Sequence, residues 1–327
     1  MFYAPVAITT LDRNWHLRQC LESLSRCTWA DKTEVYVALD YPPKDKWERY
    51  APGWEKNKEY LHSVGNLGFK QLHIIERDHN YGTWNPGDEG NMKQLLIEIR
   101  KKYDRYIVTE DDNVFAPAFL EYMDKGLELF ENDEKVLSIT GYRLYFTPPV
   151  KFEGNTYARQ CVDYITWGIG CWTNKGKNIP LLDYKWHRKQ LTIKKLRYLR
   201  KKVGLGAVCQ LVNRACATKR TIIIDVDRLA YMALEDKQQI FPKQTLVHNI
   251  GFDGSGASMG DRTGQEWCDP KMSPLPTDEH FEFIGTGYEN YEENQRIYSK
   301  GKYFKTDWQY RWILLKKIMK LIVHWRN

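Results

Sequence analysis

The stretch RYIVTEDDNVFAPAFLEYM, residues 105–123, places three acidic residues directly after an apolar run. The acids are Glu110, Asp111 and Asp112. Carboxylates this close raise one another's pKa values and destabilise a fold unless something compensates their charge. Mg²⁺ and Mn²⁺ take oxygen ligands, typically one or two carboxylates together with substrate phosphates. The spacing therefore predicts a metal–diphosphate site, and the alternative is a solvated acidic turn.

Polar residues also follow two earlier apolar runs. VAITTLDR contains Thr9, Asp12 and Arg13, and VYVALDYPP ends its run at Asp40. The order strand, helix, strand, strand, helix, strand, helix predicts an α/β fold with a mostly parallel sheet flanked by helices. Ligands of such sheets bind at the carboxyl ends of the strands, where these residues would meet. For Asp40 the alternative is an ordinary polar strand end.

The ordered set VAITTLDRNWHLRQCLESL, VALD, IVTEDDNVFAPAFLEYM and DYITWGIGCW resembles nucleotide-sugar glycosyltransferases of the GT-A fold, which is Rossmann-like. It is most similar to the N-acetylglucosaminyltransferase I type and to bacterial glycosyltransferases of polysaccharide synthesis. The resemblance covers approximately residues 4–260, and the acid triplet with its following helix is the most specific part. The resemblance implies a nucleotide-diphospho-sugar donor, a UDP-sugar, and Mn²⁺ or Mg²⁺ as cofactor.

The resemblance also implies roles for individual residues. The turn after the first strand would contact the nucleotide, with Arg13 toward the diphosphate and Asp40 at the uracil ring. Asp112 would bind the metal, while Glu110 and Asp111 would contact the ribose and the donor sugar. The nucleotide and donor-sugar contacts are completed by Thr9, Asp12, and Asn80 and Asn91 of the loop HNYGTWNPGDEGN.

An inverting transferase needs a carboxylate that takes the proton of the acceptor hydroxyl. The segment TIIIDVDRLAYMALED offers Asp225 and Asp227 where the resemblance implies this base, with Asp225 favoured. The alternative for either residue is a helix N-cap, and Glu235 and Asp236 are weaker candidates. TIII itself is expected to be a strand.

Two further predictions concern the acceptor half. His248 is a candidate metal or phosphate ligand, and the alternative is a half-buried strand histidine. It lies in a Gly-rich segment that resembles the loop closing over the nucleotide-sugar in such enzymes. Trp167 and Trp172 are candidates for an acceptor-side wall that stacks on sugars, and core packing is the alternative.

Composition narrows the class of protein. The 327 residues are 42% hydrophobic and 28% charged, with net charge +7, which indicates an ordered soluble protein. The seven cysteines lack a C-x-x-C pair and no signal peptide is apparent, which favours reduced thiols in the cytoplasm. We expect one GT-A domain over residues 1–268, with a nucleotide-sugar half at 1–135 and an acceptor half at 136–268. Residues 269–327 are expected to form a linker and a basic tail.

Two basic segments predict contact with a membrane surface. One is residues 185–202, and the other is the C-terminal amphipathic helix with Trp308, Trp312, Leu315, Met319 and Ile322 on one stripe. Basic helices with tryptophan on the apolar face lie in membrane interfaces. The expected location is the inner membrane face, with a lipid-linked or oligosaccharide acceptor. The alternatives are a helix docked on the domain or a dimer contact, and nucleic acid is disfavoured because no recognition module accompanies the charge.

Two other functions are compatible with parts of this sequence. A sugar-phosphate nucleotidyltransferase shares the acidic metal site but would need a Gly-rich loop after the first strand, and TTLDRNWHL has no glycine. A catalytically silent glycan- or membrane-binding protein would not bind UDP with Mn²⁺. The sugar, the acceptor and the oligomeric state stay open.

Overall fold

Short runs of branched apolar residues form the strands of a central sheet in the computed structural model. It describes residues 2–82, 90–143, 150–151, 154–160, 164–179, 183–215, 224–256, 274–289 and 307–324. The strands are β1 (Val6–Thr10), β2 (Glu34–Leu39), β3 (Gln71–Glu76), β4 (Arg105–Glu110), β5 (Asn113–Phe115), β6 (Val136–Thr140), β7 (Val150–Lys151), β8 (Tyr157–Gln160), β9 (Ile169–Trp172), β10 (Gln238–Pro242), β11 (Val247–Asn249) and β12 (Gly287–Glu289). The helices are α1 (Asn14–Ser25), α2 (Trp47–Ser63), α3 (Asn91–Arg100), α4 (Phe119–Leu129), α5 (Tyr184–Lys189), α6 (Ile193–Ala215), α7 (Ile224–Leu234) and α8 (Asp307–His324).

The main sheet has the strand order β3-β2-β1-β4-β9-β6-β10-β8-β12-β7. The first four strands in that order are parallel, and β9 lies antiparallel between β4 and β6. Register places Thr9 beside Ala38 on one side and Glu110 on the other, so the ends of β2, β1 and β4 lie side by side. The predicted α/β architecture, a sheet flanked by helices, is confirmed.

Helices cover both faces of the parallel part. Val6 and Ile8 pack with Leu17 of α1 in one core cluster, whereas Ala7 packs with Leu95 and Ile99 of α3 in another. Alternate residues of a strand point to opposite faces, so β1 is buried on both sides. This burial holds the carboxyl end of β1 rigidly at the edge of the sheet.

The prediction that β3 follows β2 without a helix is wrong. Residues 47–63 form α2, although they contain Pro52 and Gly53. A Cβ added to Gly53 would lie 2.2 Å from the carbonyl oxygen of Asp12, so this position needs glycine for the helix to approach β1. Gly53 is thus a poor helix former that packing requires inside this helix.

The second half differs from the expected pattern in two places. TIII was predicted as a strand, but its last residue, Ile224, already belongs to α7, and residues 221–223 lie outside the described residues. Within the stretch assigned to linker and tail, β12 joins the main sheet and Phe283 stacks on Tyr122 of α4. The boundary proposed at residue 268 lies outside the described residues.

Candidate functional site

Two of the three consecutive acids are buried and share one arginine. The Arg13 guanidinium pairs through Nη2 with Asp111 Oδ1, and its Nη1 lies 2.8 Å from Asp112 Oδ2. The side chains of Asp111 and Asp112 are only 6% and 9% exposed, whereas Arg13 is 18% exposed. Glu110 is exposed at the end of β4. The crowding of acids is therefore compensated, in this state, by a side-chain cation.

The remaining oxygens of the pair are also hydrogen-bonded. The Thr10 hydroxyl donates to Asp111 Oδ2 at 2.7 Å, and Asn249 Nδ2 donates to Asp112 Oδ1 at 2.8 Å. All four carboxylate oxygens thus have a partner, which is what burial of two charges requires. Thr10 and Asn249 were not among the predicted site residues.

Burial and the charges of neighbouring groups both shift pKa values in this cluster. Burial raises the pKa of Asp111, which Arg13 opposes and neighbouring Asp112 reinforces. Burial lowers the pKa of Arg13, but its two carboxylate partners outweigh it and leave the pKa above its ordinary value. The guanidinium therefore stays charged at every relevant pH.

Two structural devices bring these residues together. Strands β1 and β4 are parallel neighbours, so Arg13 and the acids follow adjacent strand ends. A ribbon of β5 and β11 then folds back, and Ile250 N donates to the Asp112 carbonyl at 2.8 Å. A Cβ on Gly251 would lie 2.1 Å from Asp112 Oδ2, so glycine is required where the main chain passes the carboxylate.

Helix α2 adds a buried amide to the site. Asn57, which is fully buried, donates to the Thr10 hydroxyl at 3.1 Å and to the Leu11 carbonyl at 3.2 Å. Asn14 in turn donates to Asn57 Oδ1 at 3.1 Å. Sequence reasoning missed Asn57 because the helix that carries it was missed.

Asp40 holds the loop that follows β3. Its carboxylate accepts from the backbone N–H groups of Tyr81 and Gly82, both at 2.9 Å, and from Asn80 Nδ2 at 3.3 Å. Burial raises the pKa of Asp40, and the backbone donors oppose this. Asn91, also buried, donates to the Ala38 carbonyl at 2.9 Å. Residues 83–89 of this loop lie outside the described residues.

Three other predicted residues lie near the same edge. Thr9 is half-buried in β1, and Asp12 follows it with its pKa raised by burial. His248 is half-buried in β11, where it lies opposite Val114, one residue before Asn249. The residues predicted to contact the nucleotide therefore lie near one edge of the sheet. Their contacts with a ligand remain predictions.

The two candidate bases lie on α7. Asp225 is in its first turn, and its side chain lies outside the described part of the structure. The Asp227 side chain is fully buried, with Oδ1 3.1 Å from Nε2 of His187, itself fully buried in α5. A base must reach the acceptor hydroxyl, so Asp227 could act only if this pair opened.

The two tryptophans proposed for the acceptor wall differ in burial. Trp172 is 2% exposed in β9, and its Nε1 donates to the Leu127 carbonyl at 3.1 Å, so it is a core residue and the wall prediction is wrong for it. Trp167 is half-buried, with its ring centroid 5.6 Å from that of Phe252. Trp167 therefore lies beside the loop that carries Gly251.

The donor chemistry of the acid pair fits a divalent cation. Within the described ranges, no group of three or more His, Cys, Asp or Glu side chains is placed to hold a metal. Mg²⁺ needs only one or two protein carboxylates when phosphates supply other ligands. Asp111 and Asp112 are adjacent hard-oxygen donors whose present partner is itself a cation. Arg13 contacts one oxygen of each carboxylate.

Comparison with known proteins yields weak structural similarity. No protein-family model matches the chain, and no curated protein matches its sequence. S. aureus TarS 1-349 in complex with UDP is 13% identical, with 71% of each chain covered and a TM-score of 0.40. Mannosyltransferase PcManGT from Pyrobaculum calidifontis, in complex with GDP-Man and Mn²⁺, is 16% identical over 42% of this chain and 34% of its own, with a TM-score of 0.27. Such TM-scores are too low to assign an activity.

Proposed function

We propose that the protein is a glycosyltransferase that moves a sugar from a nucleotide-diphospho-sugar to a glycan acceptor. The observation that carries this proposal is the joining of Arg13 to Asp111 and Asp112 at the carboxyl ends of parallel strands. That edge is where open α/β sheets bind nucleotides. The motif resemblance over residues 4–260 supports the same activity, with UDP as the nucleotide.

The finer mechanism is a single inverting displacement. A divalent cation held by Asp112, with Asp111 beside it, would stabilise the charge that develops on the departing diphosphate. Arg13 would donate to diphosphate oxygens, and Asp40 would fix the loop at residues 80–82 against the nucleotide. Asp225 is the preferred base for the acceptor hydroxyl, because the Asp227 carboxylate is buried against His187.

The acceptor is proposed to be a lipid-linked glycan of bacterial surface polysaccharide synthesis, met at the inner face of the membrane. Among the helices that the structure describes, none has the length and apolarity to cross a membrane. Helix α8 exposes Trp308, Trp312, Leu315 and Met319, and this apolar stripe supports contact with a lipid surface.

Calorimetric titration of UDP, with and without Mn²⁺, tests the central proposal. We expect binding in the presence of Mn²⁺ and its loss in Asp112→Asn, which removes the charge while keeping the side-chain volume. Absence of UDP binding by the wild-type protein under both conditions would contradict the transferase assignment. If binding is found, a screen of UDP-sugars with a lipid-linked acceptor then identifies the donor.

A further inference from the structure

Arg13 is the counter-ion of a buried acid pair that it only partly neutralises. One guanidinium charge faces two carboxylates. A nucleotide diphosphate is itself strongly anionic. Like charges within a few ångströms repel strongly where water is excluded. The cluster as it stands therefore needs additional positive charge before a diphosphate can bind next to it.

Arg13 is also the member of the cluster with most freedom to leave it. Its side chain is 18% exposed, two to three times more than its carboxylate partners. Glycines lie alongside it: a Cβ on Gly251 would be 3.0 Å from Nη1, and a Cβ on Gly256 would be 3.5 Å away. The loop main chain therefore passes close to the guanidinium, and neither position places a side chain over it. The carboxylates, in contrast, are fixed by Thr10 and Asn249.

We propose that Arg13 and a divalent cation are alternative counter-ions of Asp111 and Asp112, so that Arg13 sets the metal affinity of this site. This inference rests on the proposed function, from which it takes the metal. When the carboxylates hold a metal, the released guanidinium can donate to diphosphate oxygens, a geometry that suits its forked donors. Arg13 thus opposes metal binding in the free protein and favours nucleotide binding once metal is present.

Opposite effects of one substitution test this inference. In Arg13→Gln, Mn²⁺ alone should bind on the order of tenfold more tightly, because the competing charge-assisted contacts are gone. UDP at saturating Mn²⁺ should bind on the order of tenfold more weakly, because a contact to the diphosphate is lost. Mn²⁺ binding is followed by the electron paramagnetic resonance signal of the free ion, and UDP binding by calorimetry.

Arg26→Gln is the matched control: Arg13 directly precedes α1, Arg26 directly follows it and is exposed, and the change in net charge is identical. It should leave both affinities at the wild-type values. Unchanged or weaker Mn²⁺ binding in Arg13→Gln would overturn the inference, even where wild-type UDP binding upholds the transferase. A wild-type protein that binds neither ligand would overturn the proposed function itself.

Arg13→Lys keeps the test decisive if Arg13→Gln fails to fold. A single ammonium group keeps the charge but cannot reproduce the two-pronged contact with both acids. Mn²⁺ should then bind more tightly than to the wild-type protein, and an unchanged affinity would overturn the inference.

Discussion

At the scale of single residues, the Thr10 hydroxyl is the junction between the acid pair and helix α2. It donates a hydrogen bond to the Asp111 carboxylate and accepts one from the Asn57 amide, and both of these side chains are buried. Thr10→Val keeps the shape but leaves two buried polar groups short of a partner. We expect a loss of about 1–3 kcal/mol in the free energy of unfolding, measured by urea denaturation. Thr9→Val is the control, because half-buried Thr9 lies on the other face of β1. Equal losses in both variants would contradict the junction.

Asp124 gives the protein a pH dependence away from the site. Burial raises its pKa to about 7, partly opposed by the Ala4 N–H, which donates to Oδ1 at 2.8 Å. The folded state therefore keeps a proton that the unfolded state loses above about 3.8. The contribution of this group to stability is full below that pH and is lost as pH rises to about 7.

Asp124→Asn should remove this dependence while keeping an acceptor for Ala4. From a shift between 3.8 and about 7, the stability lost by the wild-type protein over that range is at most about 4 kcal/mol. Urea denaturation at pH 5 and pH 8 measures it in both proteins. A variant that declines between these pH values as steeply as the wild-type protein would assign the decline to other groups.

At the scale of elements, the loop after β11 must pass the acid pair without a side chain. In Gly251→Ala the new methyl would overlap Asp112 Oδ2, because 2.1 Å is far below any normal contact. We expect UDP binding with Mn²⁺ to weaken by at least about tenfold, since a shift of the carboxylate breaks charge-assisted hydrogen bonds.

Gly256→Ala is the matched control in the same loop. Its methyl would lie 3.5 Å from Arg13 Nη1, an ordinary van der Waals distance. UDP affinity close to the wild-type value is expected in calorimetry. Equal weakening in the two variants would show that the loop tolerates no side chain anywhere, and that the contact with Asp112 is not the cause.

The sequence predicted the elements whose apolar spacing is regular and missed those shaped by packing. Strands β1, β2, β3 and β4 and the acids at the last of them follow from buried runs ending in polar residues. No helix was predicted over α2, which contains Pro52 and Gly53, two residues that helices disfavour, and Asn57 was missed with it. Asn249 reaches the acid pair through the pairing of β5 with β11, a contact between distant parts of the chain that local sequence patterns do not show. Its one local signal is a polar residue before Gly251 at the end of a short strand.

At the scale of the whole molecule, α8 packs on the domain, as one alternative from its sequence predicted, and also keeps apolar side chains exposed. Its Tyr310 and Leu314 pack on the cluster built by α6 and α7, and Cys209 of α6 donates to the Tyr310 carbonyl. Its Trp308 and Trp312, stacked on each other, remain 72% and 52% exposed. The helix is therefore docked along one side and presents an apolar stripe on another.

A lipid surface is the proposed partner of that stripe, because cations lie next to it. Lys316 lies 5.5 Å from the centre of the Trp312 ring, and Arg311 is exposed on the same helix. The first half of α6, before its break at Gly204, adds further exposed Lys and Arg side chains. Basic helices with exposed tryptophan bind anionic membranes both by burying apolar side chains and by electrostatic attraction to the lipid headgroups.

Leu315→Glu tests the membrane surface against a closely matched control. Leu315 is 54% exposed on α8 and Leu129 is 56% exposed on α4, so neither substitution disturbs a core. In co-sedimentation with vesicles of phosphatidylglycerol and phosphatidylcholine, Leu315→Glu should lose most of its binding, because it places a negative charge in the apolar contact. Leu129→Glu should sediment like the wild-type protein. Equal sedimentation of the two variants would contradict a lipid-facing α8. A concentration-dependent dimer that only Leu315→Glu dissociates would instead assign the stripe to a second copy of the chain.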